Sequence, residues 1–302
     1  MAGDSHHHRR LSAERVLDRL LAALPASQRP STPPSTEVIR DGAALVVRRG
    51  PFLVRVRSGS ESAWATARRE VQLARLLEHL EVPVTALVEP ADQPWTVDGD
   101  VVTAWSWSEP AAPSGPYDLG RLARTLRLRT ASSAAAVAPF DPLAAVTDAV
   151  AGLPDDDPQV AFVRARVAML ADAYRSAVDD DPLGCAVVHG DLHRGNVVDS
   201  IDGPLLTDLE LGGIGGASYD AAPAAVAVSR YGADPATLED FLRGFDHDPR
   251  PWPGFATYLA VYELWVIAWA VGVRDRNQTW AAEARRRVET IRDNAPHTWQ
   301  LR

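Results

Sequence analysis

The sequence contains no lysine, so all 31 of its basic residues are arginine. Wherever a fold would place a lysine, this chain must use a guanidinium, which is planar and binds anions as a fork rather than as a point charge. The chain also has a single cysteine, Cys185, which excludes an intramolecular disulfide and a thiolate zinc cluster. We interpret Cys185 as a small buried residue at the end of a strand, in a protein of a reducing compartment.

Long apolar runs are also missing. The longest, residues 258–273, carries Glu263 and is shorter than the ~20 residues that a membrane-spanning helix needs. It therefore predicts a helix buried inside a soluble protein. The first ten residues contain no apolar stretch, so we expect no secretory signal, a cytoplasmic location and no membrane partner. The histidine triplet at residues 6–8 is a possible metal ligand, but we interpret it as part of a disordered tail.

The net charge of −9 is unevenly distributed. Residues 1–108 hold 13 arginines and 13 acids, and residues 109–302 hold 18 arginines and 27 acids, so the whole excess of −9 lies in the second part. Nucleic acid is an unfavourable partner for such a chain, because a phosphate backbone demands clustered basic residues. The excess suits a cationic, amine-bearing small molecule through long-range attraction, although solubility explains it equally well.

Changes in periodicity divide the chain into three parts. Residues 1–36 predict one amphipathic helix followed by a Pro-rich linker, which together form an appended arm. Residues 37–108 predict a small antiparallel α+β unit, and helical periodicity dominates residues 109–302. The elements predicted in the middle part are strands at 37–40, 43–48, 52–57, 84–88 and 101–107, with a helix at 62–80.

The segment from 185 to 198 carries the most chemical information. An apolar run leads into a polar loop with Asp191 and Asn196, and a second apolar run leaves it; Asp208 follows twelve residues beyond Asn196. An acid can orient a hydroxyl nucleophile and accept its proton, while an amide oxygen and a second carboxylate are hard ligands suited to Mg²⁺. The pattern therefore predicts phosphoryl transfer.

The same loop contains two histidines, His189 and His193, four residues apart. Such a pair binds zinc well on a helix, but the neighbouring glycines Gly190 and Gly195 indicate a loop. A zinc site is therefore the weaker interpretation.

The sequence His-Gly-Asp-Leu-His-Arg-Gly-Asn at 189–196 resembles the catalytic loop of the aminoglycoside phosphotransferase / choline kinase-like family. Leu-Thr-Asp-Leu-Glu at 206–210 is similar to the metal-binding strand of that family, and Tyr-Asp at 219–220 to a pair that opens its next helix. The likeness covers about residues 37–275. It implies an α+β, two-lobed protein-kinase-like fold, with a small antiparallel β-sheet N-lobe that holds one helix (37–108) and a mostly α-helical C-lobe (109–302).

The resemblance also implies roles for the loop residues. Asp191 would be the catalytic carboxylate, and Asn196 and Asp208 would bind Mg²⁺ beside the nucleotide phosphates. His189 and His193 would be structural members of the loop. The partners implied are a nucleotide, with ATP expected and GTP not excluded, and a small-molecule acceptor.

Further residues would bind the nucleotide. Arg55 lies where many relatives carry the lysine that binds the α- and β-phosphates, although Arg57 has the same side-chain direction. Glu70 would pair with that basic group. Ala104, Trp105 and Trp107 lie in the run that resembles the adenine-binding strand and hinge.

Two acids are candidates for substrate binding. Glu210 lies close to Asp208 in sequence, and Glu263 lies in an otherwise apolar helix. Because an unpaired carboxylate in such a helix is costly, Glu263 either meets an arginine such as Arg274 or faces a polar pocket. Both alternatives remain open.

Some family features are missing. The only candidate for a phosphate-binding glycine loop is Asp-Gly-Ala at 41–43, and glycines at 212–216 replace a stretch that usually carries an acid. A nucleotide-binding pseudokinase with a regulatory role is therefore an alternative, and so is a sugar or amino-alcohol kinase. The sequence leaves the acceptor and the oligomeric state open.

Overall fold

The structure is a computed structural model that describes residues 2–28, 34–42, 44–89, 92–132 and 137–300. It divides into two compact units. The first consists of residues 1–113 and 198–210, and the second of residues 114–197 and 211–302. This division differs from the predicted one, because the N-terminal arm and the segment with Asp208 and Glu210 both belong to the first unit.

The first unit is built on an antiparallel sheet, whose strand order in the described part of the chain is β1-β2-β3-β5-β4. The predicted strand at 84–88 is wrong, because Val84 and Leu87 form only isolated bridges. The edge strand of the sheet is instead the three-residue strand at 95–97. The turn that connects it to the strand at 100–106 contains Asp98 and Gly99, which both have positive φ. The strands are β1 (Glu37–Asp41), β2 (Ala44–Arg49), β3 (Phe52–Arg57), β4 (Trp95–Val97) and β5 (Asp100–Ser106).

One face of this sheet is covered by the first helix, α1 (Ala2–Ala23). Its apolar residues, such as Val16 and Leu17, join Val54, Val56 and other strand residues in one core cluster. The predicted appended arm is therefore part of the core, and the unit has a second helix that the sequence did not place there. The backbone of the histidine triplet at residues 6–8 is helical, not disordered as predicted. The side chain of residue 6 lies outside the described part of the chain.

The other face of the sheet carries the polar residues of β3. Because side chains alternate along a strand, Arg55 and Arg57 point away from α1. The helix α2 (Glu61–His79) packs against β5 and begins at Ser60, whose hydroxyl accepts the Ala63 amide at 3.1 Å. The predicted helix at 62–80 is thus confirmed.

A small hairpin of β7 (Val197–Ser200) and β8 (Gly203–Leu206) precedes Asp208. The Leu206 carbonyl accepts the Thr85 amide at 2.9 Å, and its amide donates to the Pro83 carbonyl at 3.0 Å. These bonds hold the segment of Asp208 in the first unit.

The second unit is helical, with one two-stranded ribbon in its described part. Its strands β6 (Cys185–Val188) and β9 (Gly213–Gly216) pair antiparallel. Aspartate caps followed by proline begin several helices, because the carboxylate accepts free backbone N–H groups and proline needs none. The helices are α3 (Pro116–Thr130), α4 (Pro142–Ala149), α5 (Pro158–Asp179), α6 (Ala222–Tyr231), α7 (Pro235–Phe245), α8 (Phe255–Val273) and α9 (Gln278–Arg292).

The helix α8 is apolar on all sides and packs against α4, α5, α6 and α9. Within the described residues, the segment Phe255–Arg276 is the one whose length and composition would allow a membrane crossing. Its packing is that of a core helix, as the sequence predicts.

One small residue of the ribbon, Gly216, is closely packed, and another, Cys185, is exposed. A side chain at Gly216 would overlap the Tyr258 hydroxyl, so the glycine run at 212–216 serves close packing. Cys185 is exposed, contrary to prediction, because it is the first residue of β6 and its side chain lies at the end of the ribbon.

The core position of α1 gives a first prediction. Leu17 has no exposed surface, whereas 41% of Leu11 is exposed. We expect Leu17→Ala to lower the free energy of unfolding by about 2–5 kcal/mol, because it removes buried methyl groups and leaves a cavity. Leu11→Ala, the matched control on the same helix, should change it by about 0.5 kcal/mol. Equal effects of the two substitutions in denaturant unfolding would show that α1 is a detachable arm.

Candidate active site

The polar loop that follows β6 is held by one buried carboxylate in the second unit. Asp220 accepts the backbone amides of His189 at 2.8 Å and of Gly190 at 2.9 Å. Burial raises the pKa of Asp220, and the charge of His189 and these two amides oppose the shift. Gly190 has φ +82°, and a Cβ there would lie 2.5 Å from the Phe140 ring, so the position requires glycine. The backbone is thus fixed immediately before Asp191.

Asp191 presents its two carboxylate oxygens to different partners. Oδ1 accepts the hydroxyl of Tyr262 at 2.8 Å. Oδ2 lies 3.5 Å from Nδ2 of Asn196 and 3.6 Å from Nε2 of His193. The side chain is 22% exposed, so a ligand can reach it. Tyr262 therefore fixes the orientation of the carboxylate and leaves Oδ2 as the oxygen able to accept a proton.

The remaining loop residues serve its geometry. Nδ2 of Asn196 donates to the Asp191 carbonyl at 2.9 Å, which turns the amide oxygen of Asn196 the other way. Nδ1 of His193 accepts the Gly195 amide at 3.0 Å, and Nδ1 of His189 lies 3.3 Å from the Asp191 amide. Both histidines therefore have structural contacts. No group of three or more His, Cys, Asp and Glu side chains in the described part of the chain is placed to hold a metal.

In the first unit, two arginines and three acids form one network on the α2 face of the sheet. Nη1 of Arg55 lies 2.6 Å from Oε1 of Glu70 and 3.0 Å from Oδ1 of Asp208. Nη2 of Arg57 lies 2.9 Å from Oε2 of Glu70 and 3.1 Å from Oε2 of Glu210. The predicted Arg55–Glu70 pair is present, and Arg57 shares the same carboxylate. The sequence did not assign this part to Arg57.

Burial opposes the charge of Arg55, but Glu70, Asp208 and Glu210 outweigh it, so the pKa of Arg55 lies above its ordinary value. The network still leaves polar atoms unused. Nε of Arg55 and Nη1 of Arg57 are buried and have no hydrogen-bond partner among the described residues. Such donors are costly unless a ligand or water satisfies them. They fit an anionic ligand such as a phosphate group.

Asp208 has a strained backbone, with φ +61°. For a residue other than glycine this left-handed conformation costs free energy, and Asp208 shares it with Glu81, Asp98, Asp246 and Asn294 among the described residues. Its Oδ1 accepts Nη1 of Arg55, and Oδ2 lies 3.6 Å from Nη2 of Arg40. The carboxylate of Asp208 and the amide oxygen of Asn196 are hard donors that fit Mg²⁺. Their role as its ligands stays a prediction.

The predicted hinge residues make their own contacts within the first unit. The Ala104 amide donates to Oε1 of Gln93 at 2.7 Å, and its carbonyl accepts the Val88 amide at 3.1 Å. Nε1 of the buried Trp105 donates to Thr103 at 3.0 Å.

At the end of this segment, the guanidinium of Arg48 stacks 4.2 Å from the ring centre of Trp107. An adenine would therefore need backbone groups other than those of Ala104. The assignment of residues 104–107 to adenine binding stays a prediction.

The acid in α8 is paired, but with an arginine other than the one named as an example from sequence. Glu263 accepts Nε of Arg230 at 2.5 Å. Arg274 instead donates to Asp157, at 2.9 and 2.7 Å, beside the N-terminus of α5. Of the two alternatives that the sequence leaves open, pairing with an arginine is therefore the one found, and the partner is Arg230 because Arg274, eleven residues further along the chain, faces α5.

Tyr262 and Asp220 are the functional-site residues that sequence reasoning did not assign. Asp220 belongs to a recognised Tyr-Asp pair, so its position was visible but its contact was not. Tyr262 gave no signal, because it is an aromatic residue in an apolar helix, 71 residues from Asp191.

The comparison with protein families identifies the chain. Residues 35–264 match the family described as "Phosphotransferase enzyme family" (APH), so the chain belongs to that family. Membership makes it a phosphotransferase with an alcohol group as acceptor, a small-molecule kinase by class, as the sequence predicts. A comparison with curated proteins gave no match.

Solved structures confirm the α+β, protein-kinase-like fold. A choline/ethanolamine kinase family protein from Mesorhizobium loti has a TM-score of 0.58 and 20% identity, covering 93% of this chain and 94% of that one. An aminoglycoside-3'-phosphotransferase of type VIII has a TM-score of 0.57 and 20% identity, covering 86% and 100%. An amicoumacin kinase in complex with AMP-PNP, Ca²⁺ and Ami has a TM-score of 0.61 and 14% identity, covering 99% of this chain and 98% of that one. At these identities the likeness shows the fold alone.

The contact between Tyr262 and Asp191 gives a second prediction. Tyr262→Phe removes the hydroxyl that fixes Oδ1, so the carboxylate spends less time in the productive orientation. We expect kcat to fall about tenfold, which corresponds to about 1.4 kcal/mol, with the KM for nucleotide unchanged. Tyr174→Phe is the control, because its buried hydroxyl lies 3.5 Å from the Phe140 carbonyl and not at Asp191. An unchanged kcat in Tyr262→Phe would mean that the hydroxyl does not orient the carboxylate.

The steric requirement at Gly190 gives a third. Gly184 also has positive φ, +69°, but nothing lies within 4 Å of a Cβ built there. Gly184→Ala should cost about 1 kcal/mol of unfolding free energy, for the backbone strain alone. Gly190→Ala should cost at least about 1 kcal/mol more, because its Cβ meets the Phe140 ring. If denaturant unfolding gave similar losses of unfolding free energy for the two variants, the Phe140 ring would be able to move aside without a cost.

Proposed function

We propose that the protein transfers the γ-phosphoryl group of ATP, bound with Mg²⁺, to a hydroxyl group of a small molecule in the cytoplasm. The observation that carries the proposal is the carboxylate of Asp191, whose Oδ1 is held by Tyr262 and whose Oδ2, 3.6 Å from Nε2 of His193, belongs to a side chain that is 22% exposed. Membership in the phosphotransferase family supports it. So does the amicoumacin kinase, a protein of similar fold whose structure contains AMP-PNP and Ca²⁺.

In this mechanism Oδ2 of Asp191 accepts a hydrogen bond from the acceptor hydroxyl and takes its proton as the oxygen attacks. A bond forms between that oxygen and the γ-phosphorus, and the bond from the γ-phosphorus to the bridging oxygen breaks, so ADP leaves. Positioning and charge stabilisation supply most of the acceleration in such reactions. Asp191 supplies the positioning, because its own rotamer is fixed before the substrate binds.

The remaining residues act on the nucleotide. The unused donors of Arg55 and Arg57 would bind phosphate oxygens. Asn196 and Asp208 would hold Mg²⁺, which neutralises charge on the phosphates when bound. Glu70 keeps both arginines in place.

The proposal is tested by turnover of Mg-ATP, and of Mg-GTP in parallel, with a panel of hydroxylated small molecules. Asp191→Asn should lower kcat by about 10²–10⁴-fold, because it removes the group that orients and deprotonates the hydroxyl. Nucleotide affinity should stay the same. Asp202→Asn, the same chemical change at an exposed turn, is the control. Undiminished turnover in Asp191→Asn would remove Asp191 from its role, and nucleotide binding without transfer to any acceptor would favour a pseudokinase.

A further inference from the structure

A cavity of about 310 Å³ lies in the second unit, directly beside the catalytic loop. Leu192, His193 and Arg194 form one wall of it. Ser114, which lies just before α3, and Thr237, at the start of α7, lie among its other walls. The nature of its walls therefore bears on what the enzyme phosphorylates.

The cavity adjoins the catalytic carboxylate. Leu192 follows Asp191 in the chain, and His193 both lines the cavity and places Nε2 3.6 Å from Oδ2 of Asp191. The imidazole of His193 thus lies between a molecule that fills the cavity and Oδ2 of Asp191. Asp191 itself is not among the lining residues, so the reacting hydroxyl of a bound molecule must extend past His193 to meet Oδ2.

The lining is mainly apolar and contains no carboxylate among the described residues. Leu119, Leu192 and Phe241 contribute apolar surface together with two prolines and an alanine. Ser114 and Thr237 contribute hydroxyl groups. An ammonium group placed there would lose its water without gaining a counter-charge, which is costly.

The cationic residue of the lining does not create an anion site either. Nη1 of Arg194 donates to the Val197 carbonyl at 2.9 Å, and the residue is exposed to solvent. The other N–H donors of Arg194 belong to an exposed side chain, where an ion pair contributes little, so a carboxylate or phosphate in the cavity would face apolar surface for most of its contact. An uncharged molecule meets neither penalty.

The acids that the sequence offered for an amine are engaged elsewhere. Glu263 is paired with Arg230 at 2.5 Å, and Glu210 with Arg57 at 3.1 Å. The negative charge of the second part of the chain acts over a distance and is screened within about 8 Å at physiological ionic strength. Contacts in the cavity decide selectivity, and these contacts are not acidic.

We infer that this cavity binds the acceptor, and that the part of the acceptor inside it is uncharged and largely apolar, with the reacting hydroxyl at its edge. The inference rests on the proposed function for the role of acceptor. It replaces the amine-bearing acceptor expected from the net charge.

Three probes of one shape test the inference with the full chain. They are 4-methylbenzyl alcohol, 4-(aminomethyl)benzyl alcohol and 4-(hydroxymethyl)benzoate, which are uncharged, cationic and anionic. Kd values are measured by ligand-observed NMR titration in the presence of Mg²⁺ and AMP-PNP. We expect the uncharged probe to bind at least about tenfold more tightly than either charged one, which corresponds to about 1.4 kcal/mol. Equal or tighter binding of a charged probe, or no binding of the uncharged one, would overturn the inference.

A matched pair of variants shows whether the probes occupy this cavity. Thr237 is the third residue of α7 after its cap, Asp234, a position where glutamate suits a helix start. Thr237→Glu adds a carboxylate to the lining. It should lower the Kd of the ammonium probe and raise the Kd of the benzoate, each several-fold. Thr237→Gln gives a side chain of the same shape without the charge and should change neither of these Kd values. Unchanged preferences in a folded Thr237→Glu protein would place the probes elsewhere and refute the site.

Transfer to the probes separates this inference from the proposed function. Each probe is incubated with Mg-ATP, and phosphorylated product is detected by ³¹P NMR. Transfer that depends on Asp191 but favours the ammonium probe would overturn the uncharged acceptor and leave the kinase proposal intact. Tight binding of the uncharged probe, together with the expected shifts of the two charged probes in Thr237→Glu but no transfer to any hydroxyl compound, would support the cavity as a binding site and overturn the kinase proposal.

Discussion

The buried carboxylate of Asp220 is the contact on which the catalytic loop depends. It binds the two backbone amides just before Asp191, and so fixes the direction in which the loop leaves β6. The later contacts of the loop depend on that direction. Gly190 must have positive φ, the Phe140 ring can then pack against it, and the carboxylate of Asp191 arrives at the hydroxyl of Tyr262. Without the two amides, the buried carboxylate of Asp220 would lose two of the groups that compensate its burial, so loop and carboxylate stabilise each other.

The absence of lysine has a structural consequence in the first unit. A guanidinium offers several N–H donors in one plane, so Arg55 binds two carboxylates and retains a further donor at Nε. Arg57 repeats the arrangement from the same face of β3, and Glu70 joins the two. A lysine has a single charged nitrogen and would concentrate these contacts at one point. The two arginines and three carboxylates thus form one rigid buried network, in which the donors at Nε of Arg55 and Nη1 of Arg57 remain for an anion.

The net charge of the chain does not show which of its acids are paired and which face a ligand. The acids of the second part lie largely on the surface, in helix caps and in pairs with arginine, as Asp157 does with Arg274. The cavity beside the loop receives apolar side chains from α3 and α7 instead. Long-range attraction is screened by salt, whereas desolvation in a cavity is not.

The sequence by itself determined several elements of the first unit and the chemistry of the loop. Short-range patterns specify strands 37–40 and 52–57 and the helix after Ser60, and the eight residues at 189–196 carry a motif specific enough to name the family. Tertiary structure decided the rest: the place of α1 in the core, the partner of Glu263, the hydroxyl of Tyr262 at Asp191 and the lining of the cavity. Each of these depends on which residues meet across tens of positions in the chain. Periodicity shows which side of an element is apolar, but the residue that faces it is chosen only when the whole chain packs.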